Sequence, residues 1–353
     1  MPAELNPHRI RRRLVQFALV GAVIAILVVV GPGLGGLRSQ LRHASPGWVV
    51  AAVGFELLSA LSYVVIFRAV FCQRMSWRLS YQIGMAEQGA NSVLSVSGAG
   101  GLALGAWALH RGGMSTEHIA RRTVAFFILT SLANVGGVIL FALLYLVGIL
   151  QDDRNPALTY GFGVAALAAT VIVLALPALL NREFPERLPS HPRGKVATAL
   201  YFVRHSLGQG ISDGVLLLRQ RSIGVIVGSL GTLVFDIAVL AASFRALGYS
   251  PAFGTLVIGY LIGQLGGNIP VPGGIGGLDA GLVGVFVLYH QPLAACTAAV
   301  LIYHAIILWI PGILGTLAFV QLRNTLRREA RPAAMCAPMA EPLEVAEPTA
   351  VAH

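Results

Sequence analysis

This sequence has little charge. Only 11% of its 353 residues are charged, where a soluble globular domain carries about 25%. Lysine is nearly absent, with Lys195 standing alone. Cysteine is scarce too. Cys72, Cys296 and Cys336 are scattered singly, which gives neither a disulfide framework nor metal-ligand spacing. No His-Glu-x-x-His segment occurs, so the zinc-hydrolase signature is missing. Neither a cofactor nor a metal site is expected from the sequence.

Apolar residues fill the space that charge leaves. They make up 56% of the chain, and the mean hydropathy is +0.75. One ordinary core is too small for this much apolar surface, whereas membrane-spanning helices need about 20 apolar residues each. The net charge of +10 is gathered at residues 9–13, 74–78, 111–122, 182–221 and 323–331. Basic clusters that flank apolar runs mark cytoplasmic loops. They lack interleaved aromatics or a recognition motif, so no nucleic-acid partner is expected. The apolar run 14–30 is long for a signal peptide and reads as a retained helix.

Full spans are predicted at 14–30, 48–71, 124–150, 157–180, 223–247 and 293–320. Two more apolar stretches, 81–109 and 252–289, are broken by glycine. The first holds Ser97-Gly-Ala-Gly-Gly101, with Gly98 and Gly100 inside it. The second holds Pro270-Val-Pro-Gly-Gly-Ile-Gly-Gly277, with Pro272, Gly273, Gly274 and Gly276 inside it. Proline removes a backbone donor and glycine weakens a helix interior. Irregular backbone at membrane depth is tolerated only against protein or a water-filled cavity. Both stretches therefore read as broken or re-entrant hairpins.

The halves also match each other. Gly98-Ala-Gly-Gly-Leu-Ala-Leu-Gly105 aligns with Gly274-Ile-Gly-Gly-Leu-Asp-Ala-Gly281, Phe67-Arg68-Ala69 with Phe244-Arg245-Ala246, and Asn91 with Asn268. All three matches keep the same order and the same spacing, with a single position of slippage at the glycines. With both termini cytoplasmic, the positive-inside pattern makes the first hairpin open to the cytoplasm and the second to the outside. Arg38 and Arg42 then fall outside, against the trend. The expected fold is an all-α polytopic membrane protein with about eight membrane segments in two inverted-topology repeats. Such repeats are typical of secondary transporters. The predicted divisions are a basic N-terminus at 1–13 and a transmembrane domain at 14–325, followed by a disordered cytoplasmic tail at 326–353. Within the transmembrane domain the repeats cover about 14–150 and 157–322, and the linker is 182–221. The stretch 195–221 is amphipathic, suited to the cytoplasmic leaflet or to the protein's own inner face.

Ionisable residues inside spans are expensive and need a reason. Glu56, Glu87, Asp236, Asp279 and His304 lie deepest. With Asn91 and Asn268 they are the candidate lining of a polar pathway. Pairing within the bundle is the structural alternative. Arg68 and Arg245 sit near span ends, placed to grip phosphate or to snorkel. Gly101/Gly105 and Gly277/Gly281 suit close helix contact or, at a following half-helix, an anion site. An intramembrane enzyme would need Ser95 or Ser97 with His304, and the sequence shows no group to orient that histidine. No catalytic residue is assigned.

The run Pro270 to Gly281, with Leu301-Ile-Tyr-His304 and Trp309-Ile-Pro-Gly-Ile-Leu-Gly315, resembles the flippase-type transmembrane domain of lysylphosphatidylglycerol synthetases over about 14–325. The resemblance implies movement or binding of membrane lipids, such as an anionic or zwitterionic phospholipid or a polyprenyl-linked lipid. It places the chain in the cell membrane. Three positions depart from the family. The acid after the glycine block is usually glutamate and here is Asp279, and the arginine usual after the Leu-Tyr pair is replaced by His304. A glutamate usual near Leu102 or Ala103 is missing. Aminoacyl transfer is not expected of this chain. A second reading is a non-transporting partner or anchor of a lipid-modifying glycosyltransferase. Lysine-poor, arginine- and alanine-rich usage fits a GC-rich bacterial genome.

Overall fold

Long apolar runs bounded by proline and arginine become helices in the computed structural model. The structure describes residues 41–94, 99–147, 209–264 and 277–329, with isolated positions at 39, between 160 and 171, and at 333. Eight helices order the described chain: α1 Pro46–Phe71, α2 Trp77–Leu94, α3 Ala99–Arg111, α4 Thr116–Leu146, α5 Ile223–Ala246, α6 Phe253–Gly263, α7 Gly277–Leu288 and α8 Leu293–Arg328. Residues 209–219 are also helical, and no strand occurs among the described residues. Of these helices α1, α4, α5 and α8 are long and apolar enough to cross a membrane. At 26 residues, α1 is about 39 Å long, more than the roughly 30 Å of hydrocarbon it has to cross. The expected spans 14–30 and 157–180 lie outside the described residues, apart from a few helical positions in the second.

The interrupted stretches resolve into pairs of short helices. α6 and α7 have 11 and 12 residues, or about 17–18 Å each, too short to cross alone. α3 has 13 residues. Each pair packs together, α2 on α3 and α6 on α7. Helix starts recur in the two halves at a nearly constant offset: positions 46 and 223, 77 and 253, 99 and 277, 116 and 293.

The most extensive helix contact is α1 with α5. The two run antiparallel. Ser45 N–H donates to Ala246 O (2.7 Å) at one end, and Gln73 reaches Ser222 (3.5 Å) at the other. Small residues on α5 bring the backbones together, as between helices in lipid generally. Gly224 faces Ala69, Gly231 faces Ser62, and a Cβ added at Gly228 would lie 2.6 Å from Ile66 N. A second close crossing joins α2 to α8, where a Cβ on Gly89 would lie 2.7 Å from Gly315 Cα and 3.0 Å from Pro311 O. Phe67, Met75, Ile83, Leu109 and Phe126 form one buried cluster among α1 to α4. Leu240, Phe244, Tyr260, Phe286 and Tyr303 form the other among α5 to α8. Leu61, Leu140, Val227, Val234 and Leu317 are exposed on the outer faces, as a lipid-facing surface requires.

The structure adds three details. The segment 209–219 lies on the protein itself: Ile211 is 2% exposed, Gly210 packs on Val124, and Asp213 pairs with Arg121 at 2.9 Å. Order continues past 326, because α8 reaches Arg328 and Ala333 is buried, donating its N–H to Gly112 O at 2.7 Å. Cys72 is disulfide-bonded and so is not a lone thiol, whereas Cys296 is free and buried.

If the α1–α5 approach holds the bundle together, Gly228→Leu forces the helices apart. It should lower stability by about 1–3 kcal/mol, read as a drop in melting temperature in detergent. Gly136→Ala, where nothing lies within 4 Å, should leave the melting temperature unchanged or raise it, because alanine is the better helix former.

Candidate functional site

Asp236 sits mid-way along α5, where α5 crosses α1, and both of its carboxylate oxygens accept hydrogen bonds. Ser59 Oγ on α1 donates to Oδ1 at 2.6 Å, and the Tyr260 hydroxyl on α6 donates to Oδ2 at 3.1 Å. The Tyr260 ring meets Tyr303 of α8 edge to face at 6.4 Å, and Gln264 Nε2 donates to the Tyr303 hydroxyl at 3.5 Å. Glu56 lies one turn before Ser59 on α1. It is 5% exposed, its Oε2 has no hydrogen-bond partner, and it lies near enough to Asp236 for like charges to repel. Four helices thus place two carboxyls, three hydroxyls and a carboxamide together inside an apolar bundle.

A second pair joins α7 to α8. His304 Nδ1 lies 2.7 Å from Asp279 Oδ1, and His304 Nε2 is buried without a partner. Asp279 stands in the first turn of α7, where the exposed N–H groups of a helix start favour a carboxylate. The histidine therefore has the orienting group that the sequence did not reveal. No nucleophile hydrogen-bonds to it among the described residues, and Ser95 and Ser97 lie outside them. One Gly-x-Ser-x-Gly pattern does exist, Gly210-Ile-Ser-Asp-Gly214, but it is helical throughout. A nucleophile elbow requires a strand-to-helix turn.

The third group belongs to the first hairpin. Glu87 of α2 is 4% exposed and hydrogen-bonds with Tyr63 of α1. Asn91 Oδ1 accepts from Gly101 N at 2.9 Å, so a side chain of the protein itself occupies the start of α3. That weakens the anion-site reading for this half. Gly101 and Gly105 clear space for α2. A Cβ on Gly105 would lie 2.6 Å from Glu87 Oε2, and one on Gly101 would collide with Asn91.

The two arginines stand apart from the acids. Arg68 donates from Nε to Met75 O (2.7 Å) and lies over Trp77 at 4.5 Å. Arg245 lies over Trp48 at 5.0 Å. It also borders an apolar groove of about 850 Å³ between α4, α5 and α6, lined by Gly136, Gly137, Leu233, Ile237 and Phe253 among others. Gly100 lies in α3 and Gly277 opens α7. Gly98, Asn268, Pro270, Pro272, Gly273, Gly274 and Gly276 fall outside the described residues. Among the described residues no cluster of metal-ligating side chains occurs.

The family description "lysylphosphatidylglycerol synthase TM region" matches residues 13–315. The chain belongs to this family. Compared with curated proteins one by one, it matches none. The match takes in α1 to α7 and most of α8, and so every residue of the three polar groups. Asp279 and His304, both within the matched residues, are the two partners of one 2.7 Å contact.

Sequence reading missed Ser59, Tyr63, Tyr260, Gln264 and Tyr303. Two of them were within reach. Ser59 and Asp236 stand at the repeat offset from each other, and so do Glu87 and Gln264. Removing one partner of the central bond strands the other. Ser59→Ala and Asp236→Leu, alone and combined, should show a coupling of about 1 kcal/mol in a denaturation cycle in mixed micelles. Strictly additive effects would mean that the bond contributes nothing.

Proposed function

We propose that this chain moves the headgroup of an anionic or zwitterionic lipid across the bilayer while the acyl chains stay in the membrane. The observation that carries the reading is the polar network at the α1–α5 crossing. An acid at the middle of a span costs roughly 2.5–3.5 kcal/mol to insert. Two of them, Glu56 and Asp236, meet there with hydroxyls from Ser59, Tyr260 and Tyr303 around them. A network of donors and acceptors exchanges partners with a headgroup at little cost, where an apolar crossing would exclude it. The groove beside Arg245 is apolar along its length and cationic at one end, which suits a phospholipid standing next to the crossing.

The repeat supplies the motion. In our reading the halves are inverted copies at a constant sequence offset, related by a pseudo-twofold axis in the membrane plane. Antiparallel α1 and α5 support this, as does the contact of Ser59 with Asp236, because equivalent positions touch only where such an axis passes. The two short-helix hairpins then open to opposite faces. Rocking one repeat against the other exposes the network to each side in turn. Arginines at 74, 78, 111, 219, 221, 323, 327 and 328 favour a reading with both termini at the cytoplasmic face of the cell membrane. Asp279 and His304 line the same route from the second hairpin.

Proteoliposomes carrying fluorescent phospholipid test this. Wild-type protein should raise the dithionite-quenched fraction above the one-leaflet level, and Asp236→Asn and Asp279→Asn should each slow the approach at least tenfold while remaining folded. Folded wild-type protein that leaves quenching at the one-leaflet level for every phospholipid tried would contradict the proposal. Copurification with a lipid-modifying enzyme would then favour the anchoring role.

A further inference from the structure

Where α2 and α8 separate beyond the Gly89–Gly315 contact, they leave a cleft of about 390 Å³ lined by Arg78, Gln82, Gln321, Asn324 and Arg328. Every lining residue is polar, two are guanidinium cations, and none is an acid. Neither arginine is held in an ion pair among the described residues. Positive-inside arginines account for cations at a helix end, but not for the glutamine below them. Gln82 is 1% exposed, and its Oε1 meets no donor. Leaving a buried carbonyl oxygen unpaired is unfavourable, and the cleft into which it faces is the place from which a donor can come.

We propose that this cleft binds a phosphate ester that carries a hydrogen-bond donor close to the phosphate, either a hydroxyl or an ammonium group. Arg78 and Arg328 take the phosphate oxygens in charge-assisted bonds. Gln82 Oε1 accepts from the ligand's donor, while Gln321 and Asn324 supply carboxamides able to donate and accept. A phosphoglycerol or phosphoethanolamine headgroup fits. Phosphocholine does not, because its quaternary ammonium has no N–H for Gln82. The other half does not repeat these residues. The positions that match Arg78, Gln82, Gln321 and Asn324 in the other half are Thr255, Gly259, Leu144 and Val147. They provide no cation, and Gly259 is packed on Phe286. A one-sided site gives an otherwise repeated structure a loading face. The inference deepens the translocation reading by naming the headgroup chemistry, and it stands on binding, not on transport.

The experiment is native mass spectrometry of the full chain in detergent with added phosphatidylglycerol, phosphatidylethanolamine or phosphatidylcholine, and with free glycerol 3-phosphate as competitor. Wild-type protein should retain the first two lipids about tenfold better than phosphatidylcholine. The double variant Arg78→Gln, Arg328→Gln should lose that retention for both. Gln82→Leu should abolish the preference over phosphatidylcholine and raise the melting temperature, since it removes an unpaired buried oxygen. Arg323→Gln with Arg327→Gln, which takes the same charge from a neighbouring face of α8, should bind as wild type does. Displacement by glycerol 3-phosphate would identify a soluble ester as a ligand of the cleft, and resistance to it would identify the lipid. Equal retention of all three lipids, or equal loss in both arginine pairs, would overturn the proposal. Binding without translocation in vesicles would leave the cleft standing and remove the transport reading.

Discussion

The backbone approach of α1 to α5 is the contact on which the rest depends. Lipid offers helices no hydrophobic reward for meeting, so association rests on close packing and on polar contacts. Gly224, Gly228 and Gly231 supply the packing, and the Ser59–Asp236 bond supplies the polar term. Once these two helices cross, α6 and α8 have one place to bring Tyr260 and Tyr303, because the second oxygen of Asp236 needs a donor. A side chain at Gly228 would separate the helices and leave the acid with fewer partners than its burial demands. Packing and chemistry at this crossing are therefore one constraint.

The outer parts of the bundle follow a different logic. Arg68 and Arg245 end the two crossing helices with their guanidiniums against tryptophan rings. There they mark the edges of the apolar layer and leave the interior to hydrogen-bonded acids, hydroxyls and carboxamides. Arg121 and Arg122 reach Asp213 and so tie the segment 209–219 to the start of α4. Asp279 and His304 are the only described charge pair within the second hairpin's packing. It is a pair whose charge depends on protonation, unlike an arginine–glutamate contact.

Much of the architecture was legible because lipid imposes simple rules. Apolar runs predicted at 48–71 and 223–247 are helices at Pro46–Phe71 and Ile223–Ala246. The stretches 81–109 and 252–289 each hold two helices, and Gly100 and Gly101, expected in the first break, lie inside α3. Boundaries were less legible where polar contacts extend a helix beyond its apolar part. α4 begins at Thr116, not 124, since Asp213 offsets its arginines, and α8 runs on to Arg328 through an amphipathic end. The site was half legible. Buried acids stand out in an apolar run, but serine and tyrosine do not, and nothing local tells that Ser59 meets Asp236. The pairing of Asp279 with His304 across 25 residues needed the packing of α7 on α8.

Thiol accessibility at the crossing tests the central claim, that the Ser59–Asp236 network lies on a path for polar groups. Ser59→Cys and, as control, Ala60→Cys would each be made in a Cys296→Ala background and treated in proteoliposomes with a membrane-impermeant methanethiosulfonate. Ala60, buried at 2% exposure in an apolar cluster, should stay inert. Modification of Ser59→Cys at least tenfold faster than Ala60→Cys is the predicted result. A cysteine at 59 as unreactive as the one at 60 would mean that the network only holds helices together, and would contradict the account.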